Sequence, residues 1–297
     1  MVYEERDTWL HQSVSYNLWI RLEQPASCAF QSRNECSQST DSAPDSPMKL
    51  ILIDIGNTRT KFVLADAESI LDRRQWPTHE IDETSVREVT QLWRDAGATQ
   101  AVLCSVVPSR NAAFRLVFGE DLLIVSHEIP LGIGIDYPEP SSIGADRLAN
   151  AAAVAKLYGR PGVAIDFGTA VTFDILSAEA NYIGGVIAPG VELMNDYMSE
   201  RTALLPRVEI IPKPPPVGRS TEGAMQSGAF YGYCGMVRNI LQHLLQTFES
   251  ESVAVVATGG ASPMFAEALG IKDVDPDLTL HGLRFIAAAN QLFEPIS

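Results

Sequence analysis

Twice in this chain an aspartate stands two residues before a glycine, where an apolar strand breaks into a turn. Asp54 and Gly56 lie in "LILIDIGNTRTKFVLAD" (50–66), and Asp166 and Gly168 in "VAIDFGTAVTFDILSA" (163–178). A carboxylate at a hairpin mouth can hold a hydrated divalent cation, and glycine lets a phosphate approach the backbone. Asn57, Thr58 and Thr169 add polar donors. Two such hairpins facing each other would grip a triphosphate from both sides. One Asp-Gly-Asn turn taken alone is also just a good hairpin former. Two in register, each ending a buried apolar run, are harder to explain that way, because an unpaired buried carboxylate costs several kcal/mol. "ATGGA" (257–261) adds a third glycine-rich strand end, with Gly259 and Gly260 suited to an adenosine passing close to the backbone.

Composition narrows the class of partner. The 297 residues carry a net charge of −15, with a pI of about 4.7. That balance argues against non-specific nucleic-acid binding and against attraction to an anionic membrane surface. It leaves phosphate binding through backbone N–H groups open. Cys28, Cys36, Cys104 and Cys234 show no CxxC pair and read as free thiols. The five histidines are scattered without zinc spacing. No run of about 18 apolar residues is present, and "MVYEERDTWLHQ" has neither a basic n-region nor an apolar h-region. The expected location is the cytoplasm.

The elements that must position these residues begin at Met48. Residues 1–47 are polar and rich in Ser, Asp and Pro, and they carry no helical or strand period beyond the apolar residues around Trp9 and Trp19. They read as a disordered extension or a mis-assigned start, with a regulatory arm as the sharper alternative. From Leu50 the order is strand, turn, strand, with a third strand near Ile70–Trp76. Then comes a helix in "SVREVTQLWRDAG", where Val86, Val89, Leu92, Trp93 and Ala96 share a face and Gly97 ends it. Strand, helix and strand follow, then a Gly/Pro-rich loop (131–144) and the Ala-rich helix "ADRLANAAAVAKLYG". From Val163 the same plan repeats: three strands, then helices, with a strand at "VAVVAT" and a closing helix at "LTLHGLRFIAAANQLF". The expectation is an α/β protein built as a duplication. Its domains would span residues 48–160 and 161–297, with a nucleotide cleft between them.

The ordered set DxGNT, GADR, DFGTA and TGG resembles the acetate kinase/sugar kinase/Hsp70/actin superfamily, built from two ribonuclease-H-like domains. Within it, "DIGNTRTK", "CSVVP", "GADRLANA", "IDFGTAVTFD", "YIGGVIAPG", "TALLPRV", "GRSTEGAMQSGAFYG", "ATGGA" and "DPDLTLHGLRFI" together resemble the type III pantothenate kinases. The resemblance runs from Met48 to about Asn290. It implies ATP-dependent phosphorylation of pantothenate, the first step of coenzyme A biosynthesis. It also implies a role for each matching residue. Asp54 would hold Mg²⁺ through water, and Ile55, Gly56, Asn57, Thr58, Arg59, Thr60 and Lys61 would form the ATP loop, joined by Thr169. Asp166 would bind a monovalent cation, potassium or ammonium. Tyr137, Gly144, Ala145, Asp146, Arg147 and Thr221 would receive pantothenate, with Asp146 as general base and Arg147 on the substrate carboxylate, whose geometry its planar fork matches. A homodimer is implied as well.

The residues themselves leave blander readings open. Asp146 in a helix's first turn also suits capping and the macrodipole, and Lys61 could be a solvated strand-end lysine. Two other functions fit the same motifs: a kinase of another small alcohol, such as a sugar, and a non-catalytic nucleotide-binding regulator.

Overall fold

Strand β1 (Leu50–Ile55) shows how the protein is layered. Leu50 and Leu52 belong to one buried cluster, while Ile51, Ile53 and Ile55 belong to another. Side chains alternate across a strand, so β1 lies between two cores, and its apolar run is continuous because both faces are covered. The structure, a computed structural model, describes residues 48–249 and 252–293. These residues belong to one compact unit, Ser46–Ser297. The expectations for residues 1–47, including Cys28 and Cys36, lie outside the described residues.

After β1 the chain forms β2 (Arg59–Ala65), β3 (Ile70–Pro77), α1 (Glu83–Asp95), β4 (Ala101–Ser105), α2 (Asn111–Phe118) and β5 (Leu122–Ile124). It continues through β6 (Gly134–Ile135), α3 (Ala145–Leu157), β7 (Gly162–Phe167), β8 (Ala170–Leu176), β9 (Asn181–Pro189), α4 (Val191–Arg201) and α5 (Thr221–Leu245). The last elements are β10 (Ala254–Thr258), α6 (Ser262–Leu269), β11 (Asp273–Val274) and α7 (Leu278–Ala289). The first sheet has the order β3-β2-β1-β4-β5, and the second β11-β10-β7-β8-β9-β6. Reading β7 to β11 in place of β1 to β5 gives the same order. In both sheets the first three strands pair antiparallel, and the central strand pairs parallel with the next. This is the duplicated ribonuclease-H-like architecture expected from the sequence.

The halves share elements at their junction. Strand β6 comes from the loop before α3 yet pairs with β9 of the second sheet, and sequence reading left that stretch as loop. Helices α3 and α7 lie between the sheets, in one cluster with Leu50, Leu52 and Val102 of the first and Ala164, Leu176 and Val256 of the second. That position explains the composition of α3: it buries Ala145, Leu148, Ala149 and every residue from Asn150 to Val154. A helix apolar nearly all round is a buried one.

Outside this central layer, α1 and α2 cover the first sheet and α5 and α6 the second. Helix α1 starts at a capping box in which Asp82 accepts from Ser85 N–H and the Ser85 hydroxyl accepts from Asp82 N–H. It buries Val86, Val89 and Trp93, whereas Leu92, expected on the same face, is exposed. The sequence reading assigned no element to the stretch that forms α6 and β11. Among the described residues, no helix is long and apolar enough to cross a membrane. Cys104 and Cys234 are buried free thiols.

Candidate active site

The two-residue period that places Leu50 and Leu52 toward α3 does the same for Asp54, at the end of β1. Gly162 and Ala164 likewise share a face with Asp166, at the end of β7. Asp146, in the first turn of α3, lies with both carboxylates on the wall of one cavity of about 460 Å³. That volume is in the range of small-molecule sites. The wall also holds Gly56, Asn57, Thr58, Arg59 and Lys61 from the first turn, Gly168 and Thr169 from the second, and Thr258, Gly259 and Gly260 after β10.

Both turns are braced by backbone bonds. Gly56 N–H donates to Arg59 O (3.1 Å) and Gly168 N–H to Ala170 O (3.1 Å). The Thr78 hydroxyl donates to Gly56 O (2.8 Å) and meets the buried Thr60 hydroxyl at 3.0 Å, while Thr78 N–H donates to Thr58 O (3.0 Å). Thr60 therefore serves the loop from behind, and the Ile55 side chain packs in the outer core. Neither lines the cavity. The second turn is held by Gly190 N–H, which donates to Thr169 O (3.0 Å). Gly259 adopts φ +89°, and a Cβ there would collide with the Asp166 carboxylate. Only glycine lets the β10 end pass so close to that acid.

The carboxylates set the electrostatics. Asp54 has Lys61 directly opposite on β2, with its Nζ 3.7 Å from the Asp54 carboxylate. Burial raises the Asp54 pKa, Lys61 pulls it back, and Asp146 pushes it up again. Asp166 has no cation facing it in register: its neighbours are Thr172 on β8 and Thr258 on β10. Burial, and then the charges of Asp146 and Asp54, push the Asp166 carboxyl up to about 6. Asp146 is raised by burial against the lowering effect of the Arg147 N–H, which it accepts at 2.9 Å. Gly144, not Asp146, occupies the N-cap of α3, so the Asp146 side chain does not serve as the N-cap. Burial also raises the Cys104 thiol, beside Asp54 on β4, well above its ordinary value. It is an inert neighbour.

The other predicted substrate residues stand outside this cavity wall. Tyr137, just after β6, packs edge-on against Tyr182 with ring centroids 6.0 Å apart. Arg147 on α3 donates from Nε to the buried Asp174 of β8 (2.5 Å), with its guanidinium carbon 5.7 Å from the Tyr182 ring centroid. Thr221 is exposed at the start of α5. Sequence reading missed Asp174, Asn150, Thr279 and Thr78. A signal was present for the first two, each a polar residue inside an otherwise apolar strand or an Ala-rich helix.

Among the described residues, no group of three or more His, Cys, Asp or Glu side chains is set to hold a metal alone. Mg²⁺ fits this wall in its usual phosphate-site form, taking one carboxylate, waters and nucleotide oxygens. Three carboxylates face only Lys61 and the exposed Arg59 in the cavity, so a polyanionic ligand would need added cations to enter.

The family model for type III pantothenate kinase matches residues 50–243. A type III pantothenate kinase of Akkermansia muciniphila is 47% identical over 251 residues, covering 82% of this chain and 100% of the relative. One of Methylacidiphilum infernorum is 42% identical, covering 80% of this chain and 87% of the relative. Two solved structures share the fold: a Baf-family protein of Campylobacter jejuni, and the ethanolamine utilization protein EutJ of Carboxydothermus hydrogenoformans. The first has a TM-score of 0.51 at 19% identity, covering 82% of this chain and 100% of that one. The second has a TM-score of 0.50 at 15% identity, covering 82% and 92%. Its matching family model and its close relatives make this chain a member of the type III pantothenate kinase family.

Proposed function

We propose that the protein transfers the γ-phosphoryl group of ATP to the primary hydroxyl of pantothenate, giving 4′-phosphopantothenate for coenzyme A synthesis. One observation carries this reading: carboxylates from two duplicated strand ends and from the first turn of α3 line one cavity with two glycine turns. The triphosphate would lie between the Gly56–Thr58 turn and the Gly168–Thr169 turn. Asp54 would hold Mg²⁺ through water, and that ion would neutralise phosphate charge. Lys61 and Arg59 add positive charge from the protein.

Phosphoryl transfer asks mainly for alignment and charge stabilisation. The Asp146 carboxylate would accept the hydroxyl proton late in the reaction, a task that needs only a modest pKa. Asp166 would take a monovalent cation, potassium or ammonium. The threonines that flank it, with no ammonium group opposite, make an oxygen-rich seat for a weakly hydrated ion. Tyr137, Gly144, Ala145 and Arg147 would receive pantothenate, with Arg147 on its carboxylate. Thr221 would join them from α5.

A second copy of the chain is the partner this reading implies. Leu193, Met194, Tyr197 and Met198 on α4 are exposed, as are Ile183 and Ile187 on β9. Exposed apolar side chains on these two elements would suit such an interface. The working location under this reading is the cytoplasm, where ATP and a potassium-rich medium are available.

The test is ADP formation from ATP and Mg²⁺ by the full chain, with and without pantothenate, in potassium and in sodium buffer. Pantothenate-dependent turnover that requires potassium is the expected result. ATP binding with no turnover on pantothenate would sink the reading in favour of another small alcohol or a regulatory role.

A further inference from the structure

Arg147 is held from several sides. Its Nε–H donates to Asp174 and its Nη2 to the Phe173 carbonyl (3.1 Å). Together these occupy one edge of the guanidinium plane. Among the described residues Nη1 has no acceptor, so the Nη1/Nη2 edge is free, and that edge can meet a carboxylate with two parallel bonds. Asp174 is 1% exposed. Its second oxygen accepts from the Asn150 amide (3.4 Å), and the Asn150 carbonyl accepts from the Thr279 hydroxyl (2.8 Å). Asn150 follows Asp146 by one turn of α3, which aligns the two on one helix face.

The second sheet is shaped around this group. Gly185 pairs with Asp174 in register, and past a register shift Leu176 pairs with Tyr182. A Cβ at Gly185 would collide with Nη2 of Arg147 and with the Phe173 carbonyl. The bare backbone and the tyrosine ring therefore make a slot for one guanidinium orientation. Such rigidity has a physical purpose here. The neighbouring cavity carries three carboxylates, and an anionic substrate group near them is repelled unless a fixed cation meets it at the right angle.

We infer that Asp174 is a positioning residue for substrate recognition: backed by Asn150 and Thr279, it holds Arg147 so that the free Nη1/Nη2 edge faces the carboxylate of the acid substrate. This rests on the reading of the site as a pantothenate kinase. A carboxylate holding the opposite edge also keeps the guanidinium from collapsing onto Asp146, one residue away. The ion pair would thus set specificity for an acid over its neutral analogues without touching the reacting atoms.

The experiment uses the full chain and two ligands, pantothenate and pantothenyl alcohol, in which a hydroxymethyl group replaces the carboxylate. Dissociation constants come from calorimetry with Mg·ADP present, alongside turnover on pantothenate. Asp174→Asn should weaken pantothenate by about 10- to 100-fold, the scale of one charge-assisted hydrogen bond. It should leave the alcohol within about threefold, because that ligand has no carboxylate for Arg147 to read. Circular dichroism checks that the variant folds. Thr279→Val, a near-isosteric change two bonds back in the chain, should show the same selective loss at about three- to fivefold, and it keeps the test decisive if Asp174→Asn unfolds. Equal weakening of both ligands, or of neither, overturns the inference, while wild-type turnover on pantothenate still supports the kinase reading. A wild-type chain that binds both ligands equally also overturns it. A wild-type chain that neither binds nor phosphorylates pantothenate overturns the kinase reading together with the inference.

Discussion

The two sheets end their central strands in the same way and then diverge at the positions alongside. In the first, Asp54 lies between Lys61 on β2 and Cys104 on β4. In the second, Asp166 lies between Thr172 on β8 and Thr258 on β10. The backbone plan is duplicated, and the side chains on either side of each acid are not. Lysine partly neutralises Asp54, so a second positive charge there is best carried by a distant, water-bridged ion. Two threonines surround Asp166 with oxygen in register, and burial, then the charges of Asp146 and Asp54, push its carboxyl up to about 6 against the partial offset of Lys61 and Asn150. Duplication thus supplied two equivalent acids, and the strand neighbours gave them different electrostatic surroundings.

The largest expected effect tests the group that both halves address. Asp146→Asn should lower kcat by about 10²- to 10⁴-fold, the usual worth of a general base, with a much smaller change in ATP affinity. Steady-state kinetics decide it; retention of more than a tenth of the wild-type kcat would remove Asp146 from that role.

The comparison itself can be broken by exchanging one neighbour. Thr172→Lys gives Asp166 the cross-strand cation that Asp54 has, so a tethered ammonium would compete with the monovalent ion. The rate should then become insensitive to potassium, at a cost of about tenfold in kcat, since a tethered charge sits less well than a mobile ion. An unchanged potassium titration curve would show that the threonines do not define that seat.

A pH dependence sharpens the contrast. The Asp166 carboxyl is raised in the folded state, so the folded protein holds a proton that the unfolded chain releases. Stability from this group is therefore greatest at low pH and is lost as pH rises from about 4, the ordinary carboxylate value, through about 6. Asp166→Asn should flatten this part of the curve. In the absence of added cations it should also raise stability at pH 8 by roughly 1–2 kcal/mol, the usual scale of relief at a strained functional site. Melting temperatures at several pH values measure both. A parallel fall in wild type and variant would put the effect elsewhere.

The smallest effect lies away from the cleft. Asp82→Ala removes half of the α1 capping box and should cost about 1 kcal/mol. Both Michaelis constants should stay unchanged, because α1 covers the outer face of the first sheet. Chemical denaturation and kinetics on the same sample check the two halves of that statement.

How much was legible depended on whether the signal was local. The strand pairs around Asp54 and Asp166 were readable because apolar runs of strand length stop at polar glycine turns. Helix α1 was readable because Val86, Val89 and Trp93 keep a helical period and Gly97 ends it. Leu92 was misplaced because one residue at the edge of an apolar stripe can face either way, and only the packed neighbours choose. Two-residue strands such as β6 and β11 carry no period at all. Thr60 and Ile55 fell inside a loop motif read as a block, although alternation turns their side chains away from the cavity.

The sequence by itself determined the duplication, the strand-end acids and the family, since these rest on spacing along the chain and on ordered motifs. Only the tertiary structure decided which acids meet and what each one faces. Asp146 and Asp166 are separated by a helix and a strand, and Arg147 and Asp174 by 27 positions. Each pairing exists because α3 is packed between two sheets. A buried charge takes its partner from whatever the fold brings within a few ångströms, and that distance is set by packing rather than by order along the chain.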